Sequence, residues 1–196
     1  RCVLPLVESR AAFALSIWDL DNVNRGGKTP NLDSVATAAR KMAMFEEKAV
    51  YQGFKAAGIV GICEGGNKPV TLPKTAGKMA EAVESAVVTL QTAGVGGPYA
   101  LVLGTKPYQM LMSGDEKGYP LRRRVEELVG GQIVWSPAVT GGVLVSTRGG
   151  DFQMTCGQDL SIGYQKHDSK EVVLFLTESF TFQVLEPAAA VTLKMA

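Results

Sequence analysis

The sequence predicts an α+β protein in which helices come first and strands dominate the last third. Two stretches with helical apolar spacing precede residue 93, whereas short alternating or continuous apolar runs follow from residue 132 onward. Hydrophobic residues make up 46% of the 196 residues, which is enough for a proper core. The composition therefore argues against disorder and predicts one large domain or two small ones.

The chain opens on a strand-like alternation, RCVLPLVESRAAFAL, without an initiator Met or a signal-peptide pattern. We therefore expect a further N-terminal segment to precede it. Trp18 follows in LSIWDLDN, where it alternates with Leu20 and is predicted to pack on a strand face. The alternative is a partly exposed Trp18 that stacks on a planar ligand or a neighbouring subunit.

Two long helices are predicted in the first half of the chain. The first begins after Pro30, keeps helical apolar spacing over 32–50 and ends at Gly53. The second runs over about 73–92, with Gly94 placed to stop it. No internal repeat accompanies them.

In the second half of the chain, one strand and two short helices are predicted first, and a series of strands follows. The run YALVLG predicts a buried strand, and short helices are predicted over 108–112 and 121–129, separated by the exposed loop SGDEKGYP. Strands are then predicted in QIVWS, GVLVST, DFQMT, LSIGYQ, EVVLFLTESFTFQVL and AVTLKM.

The overall charge does not favour nucleic acid or an anionic membrane as a partner. The chain has 20 basic and 19 acidic residues, so no overall basic field indicates nucleic acid or an anionic membrane surface. The arginines of 122–124 are followed by Glu126 and Glu127, which predicts ion pairs on a solvated helix face. No apolar run is long enough to span a bilayer.

Neither cofactors nor metals are predicted. The three cysteines, Cys2, Cys63 and Cys156, are far apart and form no CxxC pair, which favours reduced thiols in a cytosol and no zinc site. The run GVGGP lacks dinucleotide-binding spacing, and no phosphate-loop G-K-[ST] occurs.

The segment CGQDLSIGYQKHD, residues 156–168, is the strongest candidate for chemistry, yet it fails as a catalytic motif. A nucleophile elbow at Ser161 needs glycine where Asp159 stands. Cys156 and His167, the only histidine, would lie about 35 Å apart along a strand at roughly 3.3 Å per residue. We predict a buried structural cysteine and a surface histidine, and no catalytic residue.

Several long blocks nevertheless match one family. The blocks LPLVESRAAFALSIWDLDNVNRG, GGPYALVLG, GYPLRRRVEELVGG, RGGDFQMTCGQDLSIGYQ and LTESFTFQVLEP together resemble family 1 encapsulins, the linocin-like shell proteins of bacterial and archaeal nanocompartments. The resemblance runs in order over essentially the whole chain.

The resemblance implies the tailed-phage major capsid (Hong Kong 97-like) fold, with P-domain, A-domain and E-loop. It implies the end of the returning E-loop strand at 1–6, P-domain at 7–64 and 150–196, and A-domain at 65–149. Turn signals and short helices concentrate in the same middle segment, as expected of a domain inserted into another.

The function implied is a non-enzymatic protomer that assembles into an icosahedral shell in the cytoplasm. Its partners would be copies of itself and cargo proteins with a C-terminal targeting peptide, such as ferritin-like proteins for iron storage or dye-decolorising peroxidases against oxidative stress. Two alternatives stay open at this point: a prophage major capsid protein of the same fold, and a small redox or hydrolytic enzyme using Trp18 or Cys156.

The resemblance also implies two sites. Docking of the cargo peptide would involve Leu160, Ile162 and Tyr164 as apolar and aromatic contacts and Asp159 as a polar contact; the alternative is that Leu160 and Ile162 belong to the core. The fivefold pore loop would comprise Gly114, Asp115, Glu116, Lys117, Gly118 and Tyr119.

Overall fold

The computed structural model describes residues 3–116 and 118–196, with the side chain of Glu116 outside that description. It confirms an α+β protein. The elements are β1 Val7–Ser16, α1 Ile17–Asn24, α2 Asp33–Gln52, β2 Val70–Leu72, α3 Met79–Thr92, β3 Tyr99–Leu103, α4 Thr105–Ser113, β4 Asp115–Glu116, β5 Tyr119–Pro120, α5 Leu121–Val129, β6 Ile133–Trp135, β7 Gly142–Ser146, β8 Phe152–His167, β9 Glu171–Val184 and β10 Ala190–Met195.

The described residues divide into two compact units. The first contains the chain up to Glu46 together with Met154–Thr181, and the second contains Glu47–Gln153 together with Phe182–Ala196. These changes of unit do not coincide with the P- and A-domain boundaries implied by the resemblance, and that domain assignment stays a prediction.

The first unit is a three-stranded sheet, in the order β1-β9-β8, with the first part of α2 packed on it. Strand β1 pairs antiparallel with β9, so that Phe13 lies opposite Leu174. Phe13 and Leu176 of the sheet form a small core with Ala38 and Met42 of the helix. The helix therefore covers strands β1 and β9 from one side.

The second unit is built on a five-stranded sheet in the order β2-β10-β7-β3-β6, with α3 and α5 packed against it. Its core is the larger of the two because α3 carries a continuous apolar face, including Val83 and Leu90, onto fully buried strand residues such as Leu101 and Leu144. Gly104 and Gly141 make close backbone approaches here, with no room for a Cβ atom.

Most predicted elements are confirmed, including the long first helix, the buried strand after Gly97 and the helix Leu121–Val129. The expected ion pair on that helix joins Arg122 Nε to Glu126 Oε1 at 2.7 Å. Strand β2 was not predicted, because three residues give too short a pattern.

Three predictions are corrected. Trp18 lies on a helix over 17–24 and not on a strand face, because Ser16 caps this helix by accepting a hydrogen bond from the Asp19 N–H at 3.4 Å. The second long helix begins at Met79, after a short 3₁₀ turn at 76–78, and not near Pro73. The segments DFQMT and LSIGYQ are one continuous strand, β8.

Candidate functional site

An exposed row of apolar side chains on β8 is the main candidate site. Leu160, Ile162 and Tyr164 are 52%, 64% and 58% exposed, and they occur at every second position of the strand. Successive residues of a strand point to opposite faces, so these three share one face. We call this row the apolar strip.

Contacts with β9 show which face that is. The ring of Phe175 lies where a Cβ atom on Gly163 would stand, so Gly163 and Phe175 are on the same face of the sheet. By alternation, the apolar strip lies on the opposite face, together with Leu174 and Leu176. That is the face on which α2 packs through Ala38 and Met42.

The apolar strip therefore continues the core face of the sheet beyond the cover of the helix. Leu176 is buried, whereas Leu160 and Ile162, on the neighbouring edge strand, are open to solvent. Within the described residues, Leu160 and Ile162 lie at the surface and not in the core. A contiguous exposed apolar row beside a packed helix is typical of an interaction surface.

Asp159 does not lie with the strip. It is one residue from Leu160 and so points to the opposite face, and its Oδ1 accepts a hydrogen bond from the Leu160 N–H at 2.8 Å. The structure thus brings together the three predicted apolar residues but separates the predicted polar one from them.

A contact between Tyr164 and His167 escaped the sequence analysis. Tyr164 Oη lies 2.5 Å from His167 Nδ1, and the two ring centroids are 5.9 Å apart. No sequence signal could have found this pair, because residues three apart in a strand start from opposite faces.

The other side of the sheet carries a second cluster that the sequence analysis missed. The guanidinium carbon of Arg10 lies 3.3 Å from the centroid of the Phe175 ring, a cation–π arrangement. Thr177 Oγ1 donates to the Ser9 carbonyl at 3.1 Å on the neighbouring strand β1. Both contacts lie on the face that Phe175 shares with Gly163, opposite the apolar strip.

The structure does not bring Cys156 and His167 together as a pair. Cys156 and His167 lie eleven positions apart on one continuous strand. Cys156 is exposed, which corrects the prediction of a buried cysteine, because it lies on an edge strand. Cys63 is partly buried, and burial raises the pKa of its thiol to about 11.

The predicted pore loop is more ordered than a free loop. Asp115 and Glu116 pair with Tyr119 and Pro120 as a two-stranded hairpin, and Gly118 has the left-handed φ of 84° that its turn requires. Tyr119 Oη donates to Glu127 Oε1 of α5 at 3.0 Å, a bond that raises the pKa of Tyr119.

Gly114 precedes this hairpin, and a Cβ atom there would stand 2.8 Å from Ala76 Cβ and 2.9 Å from Leu121 Cδ2, so the position has no room for a side chain. Lys117 and the side chain of Glu116 lie outside the described residues. Trp18 is 73% exposed on α1, a helix with no buried residue.

In the part of the chain that the structure describes, two features concern metal sites and membrane-spanning helices: the grouping of ligand side chains and the length of apolar helices. There, no three His, Cys, Asp or Glu side chains are grouped so that they could hold a metal ion. Over residues 3–116 and 118–196, no helix combines the length and apolarity that a bilayer crossing requires.

Comparison with known proteins identifies the family. The family model described as "Encapsulating protein for peroxidase" matches residues 1–181. The type 1 encapsulin shell protein of Rhodospirillum rubrum is 43% identical over 196 residues, 99% of this chain and 70% of the relative. That of Mycolicibacterium paratuberculosis is 40% identical over 98% of this chain and 73% of its own length.

Solved structures share the fold at low identity. The virus-like particle of Pyrococcus furiosus superposes with a TM-score of 0.69 at 18% identity, over 98% of this chain and 78% of that one. The capsid of Myoviridae phage XM1 gives 0.66 at 12% identity, over 98% and 74%. These similarities confirm the Hong Kong 97-like capsid fold, and the chain belongs to the type 1 encapsulin shell proteins, a family of structural shell subunits and not of enzymes.

Proposed function

We propose that this shell subunit encloses a cargo enzyme and holds it through the apolar strip of β8. The observation that carries the proposal is the exposure of Leu160, Ile162 and Tyr164 on the face that α2 covers elsewhere. Nothing within the described chain packs over these three side chains closely enough to bury them.

The strip suits an extended peptide. Alternate side chains on one strand stand roughly 7 Å apart, which matches the spacing of alternate residues in a second extended chain. Strand β8 is also an edge of its sheet, so its outer backbone groups are available for pairing. An apolar peptide from the end of a cargo protein would gain both kinds of contact.

For the cargo, we propose a dye-decolorising peroxidase, which gives the compartment a role against oxidative stress. The description of the matching family, which names peroxidase, supports this choice. A ferritin-like cargo with a role in iron storage is the second candidate, and the two differ in whether iron accumulates inside the shell. The assembly is proposed to be an icosahedral homo-oligomer in the cytoplasm.

The experiment replaces Ile162 with Asp in the full-length protein and measures how much cargo co-purifies with the shells. A charge in an apolar peptide contact costs several kcal/mol when desolvated, so loading should be lost while shells still form. Thr155→Asp is the matched control, because it adds the same charge at an exposed position on the opposite face of β8.

Loss of loading with Ile162→Asp alone supports the docking strip. Normal loading in both variants would contradict it and would place the docking site elsewhere. Loss of shells with Ile162→Asp would mean that the residue is buried between subunits.

A further inference from the structure

At the end of β8, a residue of the apolar strip contacts a residue outside the strip. His167 is the only histidine of the chain, and its Nδ1 lies 2.5 Å from Tyr164 Oη. Tyr164 is 58% exposed, so apart from this contact little restricts its ring. An exposed aromatic side chain without a partner populates several rotamers and must lose that freedom when it binds.

The groups around His167 include a carboxylate that is already hydrogen-bonded to backbone. A shallow cavity of about 190 Å³ beside it is lined by His167 together with Lys166, Asp168, Glu171 and Val173. The Asp168 carboxylate already accepts the backbone N–H groups of Lys170 and Glu171, at 2.7 and 2.9 Å. These two bonds fix the turn between β8 and β9 and with it the backbone position of His167.

The Tyr164–His167 contact also lies at a particular edge of the sheet. Strand β9 lies along one side of β8, and no described strand lies along the other. Residues three apart start from opposite faces, so the Tyr164 and His167 side chains meet around the open edge of β8. The tyrosine ring is thereby held toward the edge at which a second extended chain would pair.

We propose that His167 is a positioning residue of the cargo-docking strip: it holds the Tyr164 ring in the orientation that receives the cargo peptide. This inference rests on the proposed docking function of the strip. His167 itself need not touch the cargo, because it acts by restricting Tyr164 before binding. Restricting one side chain in advance is worth about a three- to tenfold change in affinity.

The test compares four variants of the full-length shell: His167→Leu, His167→Asn, Tyr164→Phe and the double variant Tyr164→Phe/His167→Leu. The probe is a fluorescent protein fused to the C-terminal segment of the dye-decolorising peroxidase proposed above as cargo, supplied at sub-saturating amounts. Bound probe per shell is measured by fluorescence, and shell formation and the unfolding temperature are measured in parallel.

We expect His167→Leu to lower loading about three- to tenfold with unchanged shells and unfolding temperature. His167→Asn should retain most of the parent's loading, because the amide of Asn places a hydrogen-bonding group near the position of the imidazole Nδ1. In the Tyr164→Phe background, His167→Leu should add little, since the two residues act through one bond.

Unchanged loading in His167→Leu, fully additive effects of the two changes, or a drop in unfolding temperature that accounts for the loss would each overturn the inference. The Ile162→Asp variant, run beside these, separates the two proposals. If Ile162→Asp loses cargo while His167→Leu does not, only the role of His167 is wrong. If Ile162→Asp also keeps its cargo, the docking strip is wrong and the positioning role falls with it.

Discussion

The ring of Phe175 lies directly over Gly163 on the neighbouring strand, and a Cβ atom on Gly163 would stand 2.6 Å from Phe175 Cε2. Gly163 has no left-handed backbone torsion, so the position needs glycine for space and not for conformational freedom. The Arg10 guanidinium stacks on the same ring. This packing on one face fixes the direction in which Ile162 and Tyr164 point on the other.

Replacing Gly163 with Ala should therefore destabilise the subunit. The added methyl group collides with an aromatic ring on which the Arg10 guanidinium also stacks, and overpacking of this kind costs about 1–3 kcal/mol. The loss should appear as a lower denaturation midpoint. Adding Phe175→Leu should recover part of it, and a Gly163→Ala variant as stable as the parent would contradict the packing described.

Gly77→Ala is the matched control for that experiment. A Cβ atom at Gly77 would meet nothing within 4 Å, and the residue has no positive φ. The same chemical change should therefore be neutral there, or stabilising by about 0.4–1 kcal/mol through the unfolded state.

The two described cysteines should differ sharply in reactivity toward iodoacetamide. Burial raises the pKa of the Cys63 thiol to about 11, so at pH 8 only about one part in a thousand is thiolate, whereas Cys156 is exposed. Peptide mapping by mass spectrometry should find Cys156 alkylated first. In denaturant both should react at similar rates, and fast native labelling of Cys63 would show that its burial is not maintained.

The acidic hairpin at 115–120 is proposed to line the fivefold pore. Repeated around an axis, Asp115 and Glu116 would form rings of negative charge that favour cations over anions. Asp115→Lys with Glu116→Lys should slow the entry of ferrous iron into shells loaded with a ferritin-like protein, measured by stopped-flow iron oxidation. Glu81→Lys with Glu84→Lys, on exposed positions of α3, is the control; equal rates in all shells would mean that ions use another opening.

Trp18 is proposed to contact a neighbouring subunit. It stands exposed on a helix with no buried residue, so Trp18→Ala should leave the unfolding of the isolated subunit nearly unchanged. In a Trp135→Phe background, its fluorescence emission should shift to shorter wavelength as shells assemble. An emission spectrum that stays the same on assembly would favour the planar-ligand alternative.

The sequence by itself determined the elements whose signals are local. Helical spacing with Pro30 before it and Gly53 after it defined α2, and the Arg122–Glu126 pair followed from a spacing of four. Long matching blocks also determined the family, because they extend over nearly the whole chain. The helix at 17–24 had a local signal too, the S-x-x-D cap at Ser16, which the apparent alternation of Trp18 and Leu20 outweighed.

Only the tertiary structure decided whether the apolar residues of β8 are core or surface. Alternation shows that Leu160, Ile162 and Tyr164 share a face, but it does not show what covers that face. The answer depends on α2, which lies more than a hundred residues earlier in the chain. This helix packs over Leu176 of β9 but does not bury the side chains of the edge strand β8. The same holds for Phe175 over Gly163 and for Tyr164 beside His167, because each contact requires a strand edge or strand neighbour that only the assembled sheet supplies.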